Sequence, residues 1–118
     1  MSGGKKFDNE KPDVSLVPKE AILGTAQALS YGAKKYGRHN YKEGIAFSRL
    51  TAAAMRHIIA FNDGEDIDEE SGNPHLAHAL ASLSMLAFMV DNRTDQDDRY
   101  VREKEPCCGG GCCEDPGK

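Results

Sequence analysis

Histidines and carboxylates are concentrated in one stretch of the sequence, and their spacing is suited to binding a divalent cation. His75 and His78 are three residues apart and therefore share one face of a helix. The acidic loop before them supplies the carboxylates of Glu65, Asp66, Asp68 and Glu70. Imidazole nitrogens and carboxylate oxygens are the donors with which proteins bind Mn²⁺, Mg²⁺ or Zn²⁺. These side chains are candidate metal ligands, although histidines on an apolar helix are also often hydrogen-bonded core residues.

His57 can join this cluster if the helices on either side of the acidic loop form an antiparallel hairpin. It lies eight residues before Glu65, on the helix that leads into the loop. A hairpin would bring it level with His75 or His78 and gather the acidic side chains near the turn. The sequence therefore predicts imidazoles from two helices beside one acidic turn.

A basic and aromatic segment follows the first predicted helix. Its members are Lys34, Lys35, Tyr36, Arg38, His39, Asn40, Tyr41 and Lys42. Lysine and arginine can neutralise phosphates, tyrosine can stack on a base, and asparagine can hydrogen-bond to a purine edge. The segment is either part of a nucleotide site or a solvated loop.

Charge is divided unevenly along the 118 residues. Residues 1–62 have ten Lys/Arg and five Asp/Glu, whereas residues 63–92 have no Lys/Arg and seven Asp/Glu. This arrangement suits either a phosphate-rich ligand that carries divalent cations or helices with solvated charged faces. A sequence pI near 5.5 argues against general nucleic-acid binding.

Apolar residues do not indicate a membrane protein. The longest apolar run, residues 76–90, is too short for a bilayer and contains a histidine and two serines. No apolar stretch follows the N-terminal lysines, so we expect no signal peptide and a cytoplasmic location.

Three helices account for most of the predicted fold, which is all-α. The first opens at Pro18 and ends near Gly37, the second runs from an N-cap at Ser48 to about Asn62, and the third extends from about Pro74 to Asn92. The intervening segment 38–47 is predicted to be a loop. The third helix is apolar almost all round, so it needs cover that two partner helices cannot give. We therefore expect a homo-oligomer with this helix at the centre of the interface.

The segment 93–118 differs in composition from the rest. It is mostly polar and holds all four cysteines, at Cys107, Cys108, Cys112 and Cys113. We interpret residues 1–92 as the functional domain and residues 93–118 as a charged, Cys/Gly-rich flexible tail.

Four sequence blocks resemble one protein family. They are Lys11-Pro12-x-x-Ser15-Leu16-Val17-Pro18-x-Glu20-Ala21, Tyr31-Gly32-Ala33-x-Lys35-Tyr36-Gly37-x-x-Asn40-Tyr41, Arg56-His57, and Gly64-Glu65-Asp66-x-Asp68-x-Glu70-Ser71-Gly72-x-x-His75-Leu76-x-His78-Ala79. Over roughly residues 5–90 the chain resembles the phage dATP/dGTP pyrophosphohydrolases related to MazG, known as MazZ. The resemblance implies a tetrameric, all-α bundle that hydrolyses dGTP and dATP to the monophosphate and pyrophosphate. It also implies dependence on two or more Mg²⁺ or Mn²⁺ ions and a role in phage 2-aminoadenine nucleotide metabolism.

One departure concerns the metal ligands. The wider MazG superfamily binds its metals with helical Glu-x-x-Glu and Glu-x-x-Asp pairs. Here the second helix has no acid before Asp63, and the third has His75-x-x-His78 instead. The ligand set is therefore placed on Glu65, Asp66, Asp68, Glu70, His75 and His78.

The resemblance also gives the other candidate site residues. Catalysis is assigned to Glu65, Asp68 and His57, with Glu65 the first candidate to orient or deprotonate the attacking water. Substrate binding is assigned to Lys11, Ser15, Lys35, Tyr36, Arg38, Asn40, Tyr41 and Arg56. Two other functions stay open: a phosphohydrolase acting on other nucleoside triphosphates or alarmones, and a non-catalytic nucleotide-binding helical module.

Overall fold

A computed structural model describes residue 4 and residues 10–101 of the chain, and these are folded as an all-α unit. The α-helices are α1 (Lys19–Tyr36), α2 (Phe47–Asn62) and α3 (His75–Asn92). Short 3₁₀ turns occupy Val14–Leu16, Asn40–Glu43 and Thr94–Gln96. The described residues form no strand, and Ile67 and Pro74 make an isolated bridge within the acidic loop. The predicted all-α class is confirmed.

Prolines set the beginnings of α1 and α3. Pro18 and Pro74 are the N-caps, each with an extended ψ close to 140°, and the helices start at the next residues. Pro18 was expected to be the first helical residue, which is wrong by one position because its ψ is not helical. Gly37 ends α1 with a φ of 98°, a conformation that glycine adopts without steric cost.

The start of α2 differs from the sequence prediction. The helix begins at Phe47, and Ser48 is not its N-cap. Instead, the Ser48 backbone N–H and hydroxyl donate to the Asp98 carboxylate, at 2.9 and 2.5 Å. A distant carboxylate therefore satisfies a helix N-terminal N–H, which is favourable because that end of a helix dipole is positive.

Helix α3 contacts both other helices. Against α1 the contact is made by small residues: Ala28, Ala77 and Ala81 are buried together, and a Cβ on Gly24 would lie 3.6 Å from the Ala77 Cβ. Against α2 the cluster is larger, with Phe47 and Leu50 packed with Met89. The start of α2 thus lies beside the end of α3, as an antiparallel hairpin requires.

The outer side of α3 exposes an apolar stripe. Leu76, Leu83 and Val90 lie seven residues apart, and each keeps nearly half of its surface accessible. Seven-residue spacing places them on one face. No described helix has both the length and the hydropathy that spanning a bilayer requires.

Two further segments lie outside the helices. The predicted loop 38–47 contains the 3₁₀ turn Asn40–Glu43, and the C-terminal segment contacts it through Arg93. The four cysteines lie outside the described residues. The proposed boundary between residues 92 and 93 stays a prediction.

Candidate active site

A cavity of about 760 Å³ lies among the three helices. Its lining comes from α1, from the loop that follows α1, from the middle of α2 and α3, and from the acidic loop. The size falls in the usual range for a small-molecule site.

Basic and aromatic side chains line part of the cavity. Lys35, Arg38 and Arg56 supply cationic groups, and Tyr31, Tyr36 and Tyr41 supply aromatic rings. The Lys35 Nζ lies 3.2 Å from a Glu70 carboxylate oxygen and 5.4 Å from the centre of the Tyr36 ring. Hydrogen bonds to Glu70 and Tyr36 raise the pKa of Lys35, so this ammonium stays charged. The lining therefore offers positive charge together with surfaces on which a base can stack.

Imidazoles and carboxylates line another part of the same cavity. The His57 and His78 rings are stacked with their centres 4.8 Å apart. Asp68 lies beside them, with an oxygen 3.6 Å from the His78 Nε2. The hairpin thus brings together the α2 and α3 histidines as the sequence predicted.

Behind His57, hydrogen bonds lead away from the cavity to an acid. The His57 Nδ1 lies 2.8 Å from the His75 Nδ1, and the His75 Nε2 lies 3.0 Å from a Glu65 oxygen. With neutral rings, the His75 Nε2–H donates to the Glu65 carboxylate, so the His75 Nδ1 must accept from the His57 Nδ1–H. This assignment leaves the lone pair of His57 on Nε2, the nitrogen that the relay does not use.

Ser71 connects Asp68 to His78. Its hydroxyl lies 2.8 Å from the Asp68 Oδ2 and 2.6 Å from the His78 Nε2. A carboxylate can only accept, so the hydroxyl donates to Asp68 and accepts from the His78 Nε2–H. Burial raises the pKa of Asp68, but the hydrogen bonds from Ser71 and the nearby His78 and His57 outweigh it and lower the pKa overall. Asp68 is therefore ionised at neutral pH.

His57 and His78 are both neutral at neutral pH. Burial is the main cause that lowers the pKa of His57, with further lowering by His78 and His75. Burial also lowers the pKa of His78, and Asp68 opposes that effect only in part. Neutral imidazoles can accept a proton or bind a metal ion.

The candidate substrate residues do not all lie in one place. Lys35, Tyr36, Arg38, Asn40, Tyr41 and Arg56 line the cavity. Lys11 and Ser15 do not: both are exposed, and the Ser15 hydroxyl donates to Asp13 at 2.6 Å. A part for these two residues in substrate binding stays a prediction.

The candidate catalytic and metal residues form an inner and an outer group. His57, Asp68, Glu70 and His78 line the cavity, whereas Glu65 and His75 lie behind His57. The Asp66 side chain is exposed, and its carbonyl accepts from the His75 N–H at 2.9 Å. The assigned roles stay predictions. The His75 imidazole lies between Glu65 and the cavity-lining His57, so Glu65 is not in direct contact with His57.

The donor types fit a divalent cation. Three imidazoles and two carboxylates line the cavity, those of His39, His57, His78, Asp68 and Glu70. Histidine with aspartate or glutamate is a common ligand set for Mn²⁺ and related ions. In the described part of the chain, no three such groups converge as the ligands of one ion do. A cation bound between Asp68 and His78 would have to replace hydrogen bonds such as that between Ser71 and His78.

Sequence reasoning left two side chains out of the site. Tyr31 lines the cavity and makes an edge contact with His78, with ring centres 5.9 Å apart. Ser71 orients Asp68 and His78, and its position three residues after an aspartate is a signal for such a turn. Both residues belong to the sequence blocks quoted above, so the blocks carried this information.

Comparison with known proteins identifies the family. The family described as "dATP/dGTP diphosphohydrolase, N-terminal" matches residues 1–99. A curated protein of Salmonella phage PMBT28, named dATP/dGTP diphosphohydrolase, is 36% identical over 96 residues, which cover 81% of this chain and 33% of the phage protein. The chain therefore belongs to the dATP/dGTP diphosphohydrolase N-terminal family. The chain spans about a third of the length of this curated relative, and no solved structure matches it significantly.

The lowered pKa values of His57 and His78 lead to a prediction of how the free energy of unfolding depends on pH. Their pKa values are lower in the folded protein than the ordinary value of 6.5. The unfolded chain therefore binds more protons below about pH 6.5, and the free energy of unfolding falls as the pH decreases through that value. Thermal denaturation between about pH 7.5 and 5 measures this loss.

His57→Asn should reduce this pH dependence, because it removes one of the two imidazoles whose pKa the fold lowers. Equal pH dependence in the wild type and His57→Asn would contradict the assignment of a depressed pKa to His57.

Proposed function

We propose that this chain binds a purine deoxynucleoside triphosphate, dGTP or dATP, and hydrolyses it to the monophosphate and pyrophosphate. The observation that carries the proposal is the lining of the cavity, where cationic and aromatic groups lie beside imidazoles and carboxylates. Membership of the dATP/dGTP diphosphohydrolase N-terminal family and the name of the phage relative support the choice of substrate.

Two sets of side chains would bind the nucleotide, one at the phosphates and one at the base. Lys35, Arg38 and Arg56 would hold the phosphates, and arginine can do so with two parallel hydrogen bonds. Tyr36 or Tyr41 would stack on the base. In our proposal Asn40 then hydrogen-bonds to the purine edge, as asparagine amides do with adenine.

His57 is the proposed general base. It is neutral, it lines the cavity, and its Nε2 lone pair is not used by His75. A water oxygen would form a bond to the α-phosphorus while its proton passes to the His57 Nε2. The bond from the α-phosphorus to the α–β bridging oxygen breaks, and pyrophosphate leaves. His75 and Glu65 would hold the ring and stabilise the imidazolium, as a carboxylate does in other histidine relays.

We further propose that hydrolysis depends on Mg²⁺ or Mn²⁺, with two or more ions at each site. Asp68, Glu70 and His78 are the cavity-lining residues that would hold them. Such ions neutralise phosphate oxygens and lower the pKa of bound water. Glu65, Asp66 and His75 do not line the cavity, so this proposal includes no direct contact between them and such an ion.

The biological setting is proposed from the resemblance to the MazZ proteins. Hydrolysis of dGTP would supply dGMP for 2-aminoadenine nucleotide synthesis, and hydrolysis of dATP would deplete the competing nucleotide. The proposed location is the cytoplasm of an infected bacterium, where both substrates occur.

We also propose a homo-oligomer, with a tetramer as the expected form. The support is the exposed stripe Leu76, Leu83 and Val90 on α3. Covering it against a second copy of the chain would remove apolar surface from water, which favours association.

The direct test of the activity is product analysis. Purified chain with dGTP and Mn²⁺ or Mg²⁺ should release equal amounts of dGMP and pyrophosphate, detected by ion-exchange chromatography. A chelator should abolish turnover, and added Mn²⁺ should restore it. Release of orthophosphate, or binding of dGTP without turnover, would contradict the proposal and favour the other two functions.

Glu65→Gln tests the relay behind His57. The amide keeps an acceptor for the His75 N–H but removes the negative charge, so we expect kcat to fall by at least about tenfold without loss of folding. Steady-state kinetics and circular dichroism measure the two effects. Glu69→Gln, an exposed acid of the same loop that does not line the cavity, should keep wild-type kcat. Wild-type turnover in Glu65→Gln would remove Glu65 from the mechanism.

Leu83→Lys tests the oligomer. A charge in the middle of the α3 stripe should shift the assembly to smaller species, because burying an unpaired ammonium is unfavourable. Light scattering coupled to size-exclusion chromatography measures the mass. The matched control Leu16→Lys, exposed outside α3, should leave the mass unchanged. A monomeric wild type at micromolar concentration would contradict this proposal.

A further inference from the structure

The loop between α1 and α2 has an unusual backbone. Within residues 37–44, here called the cavity loop, Gly37, His39 and Gly44 have positive φ angles of 98°, 66° and 119°. His39 is not a glycine, so its left-handed conformation costs free energy that other contacts must offset. The cavity loop carries Arg38, Asn40 and Tyr41 into the cavity lining. Its conformation therefore decides where three candidate nucleotide contacts lie.

Arg93, the residue after α3, holds the cavity loop from outside the cavity. Its Nη1 donates to the carbonyl oxygens of Lys42 and Glu43, at 3.1 and 2.8 Å. These carbonyls end the 3₁₀ turn, where backbone acceptors lack partners along the chain and a cation is favourable. Arg93 is not among the residues that line the cavity.

Asp95 fixes the guanidinium in this orientation. It accepts from the Arg93 Nε at 3.0 Å and from Nη2 at 2.9 Å, so one edge of the planar group binds the acid and Nη1 points to the loop. Gly44 packs against the same group, since a Cβ there would lie 3.1 Å from the Arg93 Nη2 and 3.0 Å from the Gln96 Nε2. A side chain at this position would press on both groups, and the φ of 119° is one that residues with a Cβ rarely adopt.

A second contact from α3 meets the cavity loop nearby. The Tyr41 and Phe88 rings meet edge to face, with centres 5.5 Å apart. Phe88 in α3 and Arg93 just after it thus hold the loop at an aromatic ring and at two backbone carbonyls.

We propose that Arg93 is a positioning residue for nucleotide binding: it holds the cavity loop so that Arg38, Asn40 and Tyr41 are in place before the nucleotide arrives. The inference rests on the proposed function. His57, the proposed general base, and Asp68, proposed to hold a cation, lie on other segments. Loss of Arg93 should therefore weaken binding and leave the chemical step unchanged.

The test compares Arg93→Met with the matched control Arg99→Met. Arg99 makes the same kind of two-bond ion pair, to Asp97 at 2.9 and 2.8 Å, in the same C-terminal segment, but it does not contact the cavity loop. Arg93→Met should raise KM for dGTP about tenfold, the size of losing one hydrogen bond to a charged group, with kcat unchanged. Arg99→Met should keep both constants.

A second readout does not need turnover. Hydrogen exchange followed by mass spectrometry, without nucleotide, should be faster in peptides covering residues 37–44 of Arg93→Met and unchanged in Arg99→Met. Arg93→Lys, which can still donate to the carbonyls, should restore part of the protection and of the KM. Asp95→Asn weakens the ion pair that orients the Arg93 guanidinium, and it should raise the KM in the same direction if Arg93→Met does not fold.

The outcomes separate the inference from the proposed function. No hydrolysis of dGTP by the wild type would refute the proposed function. An active Arg93→Met with wild-type KM, or an active Asp95→Asn with wild-type KM where Arg93→Met does not fold, would refute only the positioning role. Equal rises in exchange and KM in Arg93→Met and Arg99→Met would refute it too. A fall in kcat at constant KM would also overturn it.

Discussion

The contact between the His57 and His75 rings is the interaction on which the candidate site depends. It joins α2 to α3 at the end of the hairpin where the acidic loop begins, and it uses Nδ1 on both rings. With both rings neutral, one nitrogen must donate and the other accept, so the Glu65 carboxylate on the far side of His75 decides the direction. Glu65 does not line the cavity, yet through His75 it determines which nitrogen of the cavity-lining His57 has the lone pair.

The packing of α3 against α1 and α2 explains how three helices can form such a site. Alanines and Gly24 let α1 approach α3 closely on one side, whereas Phe47, Leu50 and Met89 fill the contact with α2 on the other. The polar residues of α3 can then face the cavity with their hydrogen bonds satisfied, since no buried side-chain nitrogen or oxygen of the described residues lacks a partner. A polar network whose hydrogen bonds are all made holds its rings in one orientation and also adds to stability.

Periodicity and spacing predicted the helices and the meeting of His57 with His75 and His78, because both depend on local geometry and a short connection. They did not predict that Glu65 lies behind His75, since the choice among several acids depends on the backbone after Gly64, whose φ is 98°. They also missed the Asp98 contact with Ser48, which joins residues fifty positions apart. Lys11 and Ser15 fall within the family blocks, yet both lie away from the cavity lining.

The most direct measurement of the central claim is the tautomer of His57. Nitrogen-15 chemical shifts of the imidazoles at about pH 7.5 distinguish a protonated ring nitrogen from one with a lone pair. We predict a neutral His57 with its proton on Nδ1 and its lone pair on Nε2. A proton on Nε2 of His57, paired with a doubly protonated His75, would contradict it, because His57 would then have no lone pair available to accept a proton from water.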